Sequence, residues 1–172
     1  TMLVMTIDSA PPTAIAATPE PRVALGIMTF GTTHGDAASF AVLDAYVAAG
    51  GVWIDTADCY AFWLDDAQRG GASERLLGRW LAANPGVREQ VRIGTKVGAE
   101  PVHPGGPPQG LAPETIRAGI AGSLERLGID RVDLFWGHLE DRSVPVEVSA
   151  IALAELVSQG LTAAVGLSNH PA

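Results

Sequence analysis

The 172-residue chain has very little cysteine and no long apolar run. Cys59 is its only cysteine, so an internal disulfide is impossible and no cysteine-based metal site is expected. A single thiol favours a reducing, cytoplasmic location, because disulfides mark oxidising compartments. No apolar stretch approaches the roughly 20 residues that a membrane-spanning helix needs. We therefore expect a protein without a membrane partner and without a bound metal.

Positive charge is also scarce. The formal net charge is −8 at pH 7, which argues against nucleic acids and anionic membranes as partners. A phosphorylated cofactor stays compatible, because a local site can be positive on an acidic protein. Ten of the eleven basic residues are arginine, and Lys96 is the one lysine. Lys96 either occupies a position where only a compact ammonium can function, or its being the one lysine is chance in an arginine-rich chain.

The N-terminal segment differs in composition from the rest of the chain. Residues 1–20 are rich in Ala, Thr and Pro, and they lack the basic start of a signal peptide. We expect a flexible leader there. Hydrophobic residues make up 47% of the chain and charged residues 17%, which is typical of a globular protein. Residues 21–172 are expected to belong to one domain.

Short apolar runs alternate with helical patterns from residue 22 onward. The runs are rich in Val and Ile and apolar on both faces, as buried parallel strands are. They cover residues 23–30, 52–57, 91–96, 132–136 and 162–167. Four helices are predicted between them; Ser73 is the expected N-cap of the second, and Pro113 and Gly128 bound the third. This alternation predicts a parallel sheet with right-handed crossovers.

Two α/β architectures fit that order, a (β/α)8 TIM barrel and a doubly wound open sheet. An open sheet that binds dinucleotides should show a G-x-G-x-x-G pattern after its first strand. Residues 31–35 read Gly-Thr-Thr-His-Gly instead, which favours the barrel. Only about the first five βα units are present, whereas a typical barrel takes roughly 250 residues. The missing C-terminal half is expected from the full-length chain or from a partner segment.

Polar residues follow four successive predicted strands, where a barrel concentrates its chemistry. They are Asp55 and Tyr60, then Lys96, then His138, and finally Ser168 and Asn169. Each has an ordinary structural interpretation on its own, as a loop cap, a rim aromatic, a hydrogen-bonded core residue or a turn residue. Between the first two, Asp58 is interpreted as a loop cap and Cys59 as a packing residue. Taken together, the residues at the strand ends predict one common site.

The pattern resembles that of the aldo-keto reductase family over roughly residues 22–170. The similar segments are Leu25-Gly-Ile-Met-Thr-Phe-Gly31, Gly51-Val-Trp-Ile-Asp-Thr-Ala-Asp-Cys-Tyr60, Ser73-Glu74 with Leu77-Gly78, Ile93-Gly-Thr-Lys96, Asp133-Leu-Phe-Trp-Gly-His138 and Val165-Gly-Leu-Ser-Asn169. None is decisive alone, but their combination and order are specific. Ile27 departs from the threonine that is common in the first segment.

The resemblance implies a catalytic tetrad and a nicotinamide cofactor. The tetrad falls on Asp55, Tyr60, Lys96 and His138. NADPH is the implied cofactor, or less often NADH. Its implied contacts are Gly26, Ile27, Met28, Asp55, Ser168 and Asn169. The implied activity is the reduction of a small aldehyde or ketone to an alcohol.

The tetrad has a simple chemical interpretation. A free tyrosine, with a pKa of about 10, is poorly matched to neutral pH, and a nearby ammonium lowers that pKa. Tyr60 is then the proton donor, Lys96 the ammonium, Asp55 the carboxylate that orients it, and His138 a hydrogen-bond donor to the carbonyl oxygen. Phe62 and Trp63 either wall an apolar substrate pocket or pack under their own loop.

Two alternatives to an enzyme remain open. The same family contains non-catalytic regulatory subunits that keep the barrel and the cofactor. The second alternative is that the chain as given does no chemistry because it is a fragment of a barrel. Its five strands would leave two apolar sheet edges open to aggregation.

Overall fold

The computed structural model describes residues 3–5, 23–66 and 69–170. The strands are β1 (Leu3–Met5), β2 (Leu25–Gly26), β3 (Trp53–Asp55), β4 (Arg92–Val97), β5 (Val132–Gly137) and β6 (Thr162–Leu167). The helices are α1 (Asp36–Ala48), α2 (Ala72–Ala83), α3 (Pro113–Leu127) and α4 (Val146–Ser158), with a short 3-10 helix at Phe62–Leu64. From β2 onward, strands and helices alternate as the sequence predicts.

The strand order confirms the barrel. The sheet runs β1-β6-β5-β4-β3-β2, and the five strands from β2 to β6 are parallel to one another. Each new strand lies beside the one before it, whereas a doubly wound sheet reverses its strand order at a switch point. The architecture is therefore the first five strands of a (β/α)8 barrel.

The first strand is much shorter than predicted. β2 covers only Leu25–Gly26, although the apolar pattern extends over residues 23–30. Beyond it, the amide of Ile27 still bonds to the carbonyl oxygen of Asp55, and the chain then turns so that the amide of Phe30 bonds to the carbonyl oxygen of Ile27. The side chain of Ile27 is fully buried in the core, so the apolar pattern reflects packing after the strand has ended.

The N-terminal segment contains one element that the sequence did not predict. Leu3–Met5 pair antiparallel with residues 165–167 of β6, so these three residues do not behave as a flexible leader. A strand edge presents unpaired N–H and C=O groups, which explains why even a short segment pairs with it. Residues 6–20 lie outside the described residues, and their expected flexibility stays a prediction, as does the extent of the domain.

Helix ends follow the expected chemistry at α3 but not at α2. Pro113 opens α3, and Gly128 ends it with a φ of 66°, a backbone conformation that glycine adopts readily. The prediction that Ser73 is the N-cap of α2 is wrong, because Gly71 holds that position. The Ser73 hydroxyl is buried inside the helix and lies 2.7 Å from the hydroxyl of Thr56, so it joins α2 to the end of β3.

The core lies between the sheet and the helices. Its largest fully buried side chains include Trp80 of α2, Phe135 of β5 and Ile93 of β4. The predicted apolar stripe of α2 is buried in full at Leu76, Leu77, Trp80 and Leu81. In the part of the chain that the structure describes, no helix is both long and apolar enough to cross a membrane.

Candidate active site

Three neighbouring strands bring the predicted polar residues to one edge of the sheet. Asp55 ends β3 and is in register with Gly94 of β4. Because side chains alternate along a strand, Lys96 lies two residues further on the same face as Gly94. His138 follows β5 directly, and its amide donates to the carbonyl oxygen of Val97 at 2.9 Å. We call this carboxyl-terminal edge of the strands the mouth of the barrel.

Lys96 is the centre of the site. Its ammonium donates to Asp55 Oδ2 at 2.7 Å, to the carbonyl oxygen of Thr56 at 2.6 Å and to Tyr60 Oη at 2.8 Å. These three acceptors match the three donors of an ammonium. Lys96 is only 9% exposed, so the network holds a charged group that is nearly removed from water. A point charge fixed by three acceptors is a role that a planar guanidinium does not fill.

Tyr60 projects from the turn after β3 into the same network. Its amide bonds to the carbonyl oxygen of Ala57 at 3.3 Å, which folds the chain back after two residues. Lys96 Nζ lies 4.7 Å from the centre of the phenol ring. Because Lys96 donates to the phenol oxygen, the single hydrogen of the Tyr60 hydroxyl is left to donate elsewhere. The four residues of the predicted tetrad are therefore close to one another in space.

His138 meets Tyr60 edge to face, with the ring centres 6.0 Å apart. Burial, and next the charge of Lys96, lower the pKa of His138 to about 4, so its imidazole is neutral at physiological pH. Its Nδ1 lies 3.5 Å from Cys59 Sγ. Among residues 3–5, 23–66 and 69–170, Nε2 has no hydrogen-bond partner.

Asp58 and Cys59, interpreted from the sequence as a loop cap and a packing residue, form a buried layer behind these residues. Burial raises the pKa of Asp58 to about 8, with Glu74 and Glu100 adding to the rise, and Asp58 Oδ1 has no hydrogen-bond partner among the residues that the structure describes. Burial, and next the charge of Asp58, raise the pKa of Cys59 to about 12. The one available signal was their position between Asp55 and Tyr60.

This layer bears on the question of a metal. One potential ligand atom each from Asp58, Cys59 and His138 lies within 4.8 Å of the other two. Metals bind the deprotonated forms of these groups, and at neutral pH the thiol and the carboxyl both keep their protons. The expectation of no metal stays a prediction.

Ser168 and Asn169 extend the mouth beyond β6. The amide of Ser168 donates to the carbonyl oxygen of Gly137 at 2.8 Å, and Asn169 Nδ2 donates to the carbonyl oxygen of His138 at 2.9 Å and to Ser168 Oγ at 3.1 Å. These bonds leave the Asn169 carbonyl as an acceptor and the Ser168 hydroxyl as a donor. That pair suits a carboxamide, which offers one N–H side and one carbonyl side.

The other predicted cofactor contacts differ in how accessible they are. A Cβ at Gly26 would meet nothing within 4 Å, so there is open space at the end of β2. Met28 is 47% exposed, whereas the side chain of Ile27 is fully buried. Of these residues, Gly26 and Met28 are the accessible ones.

Aromatic side chains follow Tyr60 in the chain and neighbour Lys96 in the sheet. Phe62 and Trp63 lie in the 3-10 helix after Tyr60, with ring centres 5.3 Å apart, and Trp63 is 45% exposed. Their role as a pocket wall stays a prediction. Trp136 is in register with Lys96 on one side and with Gly166 on the other, and its ring fills the space that a side chain at Gly166 would need. Sequence analysis did not assign Trp136 to the site.

The fold and the site together define a (β/α)8-barrel protein with a hydrogen-bond network centred on a lysine at the carboxyl ends of its strands. A sequence model of the aldo/keto reductase family matches residues 22–172. The chain belongs to that family.

Individual relatives agree with this assignment. The chain is 38% identical to the aldo-keto reductase str7 of Strobilurus tenacellus over 141 residues, which are 81% of this chain and 37% of that protein. It is 38% identical to a 6-dehydroglucose reductase of Novosphingobium aromaticivorans over 140 residues, 81% of this chain and 43% of the relative.

A solved structure is similar as well. The aldo-keto reductase AKR11C1 from Bacillus halodurans, in its holo form, superposes with a TM-score of 0.71 at 26% identity, over 86% of this chain and 45% of that one. The chain thus spans less than half the length of each of these three proteins.

Proposed function

We propose that the protein containing this chain reduces small aldehydes or ketones to alcohols with a nicotinamide cofactor. The observation that carries the proposal is the set of three hydrogen bonds that Lys96 donates, which join Tyr60 to Asp55 at the mouth of the barrel. Relatives whose names describe them as reductases support the reaction class. The proposal includes NADPH rather than NADH, because NADPH is the more common cofactor in the family. It also includes a cytoplasmic location, which rests on the single free thiol.

Four residues would hold the cofactor. Ser168 and Asn169 offer the donor and acceptor for the nicotinamide carboxamide, and Gly26 and Met28 border the open space at the end of β2. When bound, the cofactor supplies the hydride that the carbonyl carbon receives. The protein's own residues act on the carbonyl oxygen.

Tyr60 is the proton donor in this proposal. Negative charge grows on the carbonyl oxygen during reduction, and the Tyr60 hydroxyl, whose oxygen accepts from Lys96, has its own hydrogen to donate there. As the proton leaves, the ammonium 2.8 Å away stabilises the charge on the phenol oxygen. Asp55, 2.7 Å from the same ammonium, orients it.

His138 assists from the second side of the carbonyl oxygen. Its imidazole is neutral, so it donates one hydrogen bond without adding a positive charge that would compete with Lys96. The exposed Trp63 and its neighbour Phe62 then form an apolar wall beside the reacting carbonyl. We propose these two rings as the determinants of substrate choice.

A Tyr60→Phe exchange in the full-length protein tests the proposal. It removes only the hydroxyl, so turnover with a panel of aldehydes and ketones should fall by roughly 100-fold or more, within the range for general acids. Cofactor affinity, measured by fluorescence titration, should stay unchanged.

Tyr46 provides the matched control, because its hydroxyl bonds only to the carbonyl oxygens of Val23 and Trp53 within the described chain. Tyr46→Phe should lower thermal stability and leave turnover near normal. If Tyr60→Phe keeps its turnover within about tenfold, a difference of about 1.4 kcal/mol, Tyr60 is not the acid. If the wild-type protein binds cofactor but reduces no carbonyl, the regulatory alternative replaces the proposal.

A further inference from the structure

The two ring nitrogens of His138 have different surroundings. Nδ1 lies 3.5 Å from Cys59 Sγ, and Nε2 has no partner in the described part of the chain. A neutral imidazole carries one proton, so one nitrogen donates and the other accepts. Which one donates decides the role of the residue. If Nε2 lacks the proton, its lone pair faces the carbonyl oxygen and repels it.

The contact between Cys59 and His138 involves two neutral groups. Cys59 is 3% exposed and stays a thiol, because burial and the nearby Asp58 disfavour the thiolate. His138 stays neutral because burial and Lys96 disfavour the imidazolium. Either the thiol donates to Nδ1, or Nδ1 donates to the sulfur.

The chemistry of the two groups favours the first arrangement. A thiol sulfur is a weak acceptor, and an unprotonated imidazole nitrogen is a good one, so the stronger bond is S–H to Nδ1. That bond places the imidazole proton on Nε2. The other ionisable groups around the ring are Lys96, Asp55 and Tyr60 on the mouth side and Asp58 behind it, and none of them has a recorded hydrogen bond to the imidazole.

We propose that Cys59 is a positioning residue, whose thiol donates to His138 Nδ1 and so fixes the ring with its Nε2–H aimed into the mouth. The inference rests on the proposed function of His138 as a donor. It assigns a function to the only cysteine of the chain, which packing alone would also place in a buried position. The turn after β3 thereby supplies both the proton donor, Tyr60, and the group that orients the second hydrogen bond.

Nitrogen-15 NMR of the full-length protein measures this arrangement directly. In protein labelled at histidine, the ring nitrogens of His138 are assigned by their absence in a His138→Ala variant. We expect the wild type to show the proton on Nε2 at neutral pH. A proton on Nδ1 would overturn the proposal, whatever the activity of the protein, so this readout separates its failure from a failure of the proposed function.

Two exchanges at Cys59 test the thiol itself. Cys59→Val removes the donor at similar volume, and we expect a mixture of the two tautomers and a three- to tenfold loss in kcat, the effect of about one hydrogen bond. Cys59→Ser restores a donor and should return the wild-type tautomer with kcat within about threefold. KM for the cofactor should not change in either variant.

Asp58→Asn is the control for the buried carboxyl, which lies close to the same two groups. If Asp58→Asn shifts the tautomer and Cys59→Val does not, the carboxyl orients the ring and the assignment to Cys59 is wrong. A Cys59→Val protein with wild-type kcat and an unchanged tautomer would also reject it. Should Cys59→Val fail to fold, the wild-type spectrum and Cys59→Ser still decide.

Discussion

Asp58 shows how strongly the interior of this site disfavours charge. The residue is 4% exposed, and its Oδ1 has no hydrogen-bond partner in the described part of the chain. Glu74 of α2 and Glu100 of the loop after β4 add repulsion that Arg126 of α3 only partly offsets. The pKa of Asp58 is consequently about 8, against an ordinary value of 3.8. The folded protein therefore keeps this proton over a pH range in which the unfolded chain releases it.

The direction of the pH effect follows from this difference. Stability is unaffected by Asp58 below pH 3.8, where both states hold the proton, and it falls as the pH rises towards 8. Asp58→Asn removes the titration. We expect the variant to gain stability relative to the wild type progressively from about pH 4 to pH 8, on the order of a few kcal/mol at the upper end.

Urea unfolding of both proteins at several pH values measures this gain. The difference between the two curves isolates Asp58 from His138, whose lowered pKa gives the opposite slope between about pH 4 and 6.5 in both proteins. A constant difference across the range would show that Asp58 is ionised in the folded state.

The sequence predicted the tetrad better than the groups behind it. Asp55, Tyr60, Lys96 and His138 each lie in or just after the carboxyl-terminal end of a strand, and parallel strands bring these ends together, so position alone predicts the cluster. The contact between Cys59 and His138 joins residues 79 positions apart through side-chain packing, which leaves no periodic pattern in the chain. Burial around Asp58 likewise depends on three separate elements and cannot be read from its neighbours in sequence.

Helix α2 is attached to its neighbours by a charged residue and a glycine. Glu74 is fully buried, where its Oε1 accepts from Thr95 Oγ1 at 2.5 Å and its Oε2 accepts from Arg126 Nε at 2.6 Å. It therefore links α2 to both β4 and α3. One turn later, a Cβ at Gly78 would collide with the carbonyl oxygen of Arg126 and lie 3.0 Å from that of Leu127.

We expect Gly78→Ala to destabilise the protein, whereas an exchange of glycine for alanine within a helix usually stabilises it. Alanine in a helix normally gains about 1 kcal/mol over glycine. Here the added methyl meets backbone, which cannot rotate away, so we expect a net loss of about 1–3 kcal/mol, as in other overpacked cores. Chemical denaturation of the purified chain measures it.

Ala82→Gly, at an exposed position of the same helix, is the control for propensity and should cost about 1 kcal/mol. A Gly78→Ala protein more stable than the wild type would mean that α2 and α3 separate easily.

At the scale of elements, the sequence predicted the type of each element from β2 onward better than its ends. Pro113 and Gly128 bound α3 because each has a backbone preference that acts locally. Ser73 has the same local preference for a cap, but Thr56 from another element engages its hydroxyl. The two-residue length of β2 has a similar cause, since pairing with β3 ends where the buried Ile27 turns into the core.

At the scale of the whole molecule, helix α4 has an apolar side that nothing described in this structure covers. Its inward side buries Ala152, Leu153 and Leu156, whereas Ile151 is 62% exposed and Val148, three residues before it on the same face, is exposed as well. Leucine- and valine-sized side chains exposed together on one helix favour association with another surface. The high net charge of −8 opposes that association at neutral pH.

Ile151→Lys tests whether this side of α4 governs self-association of the 172-residue chain. We expect the wild-type chain to form dimers or larger species in sedimentation-velocity experiments at micromolar concentration, and the variant to shift towards monomer. Ser158→Lys is the matched control, because it adds the same charge at an exposed position of α4 without removing apolar surface. If both variants shift equally towards monomer, the added charge rather than the lost apolar surface is responsible. If neither differs from the wild type, association proceeds through the open sheet edge at β2, whose unpaired backbone groups remain unchanged by either exchange.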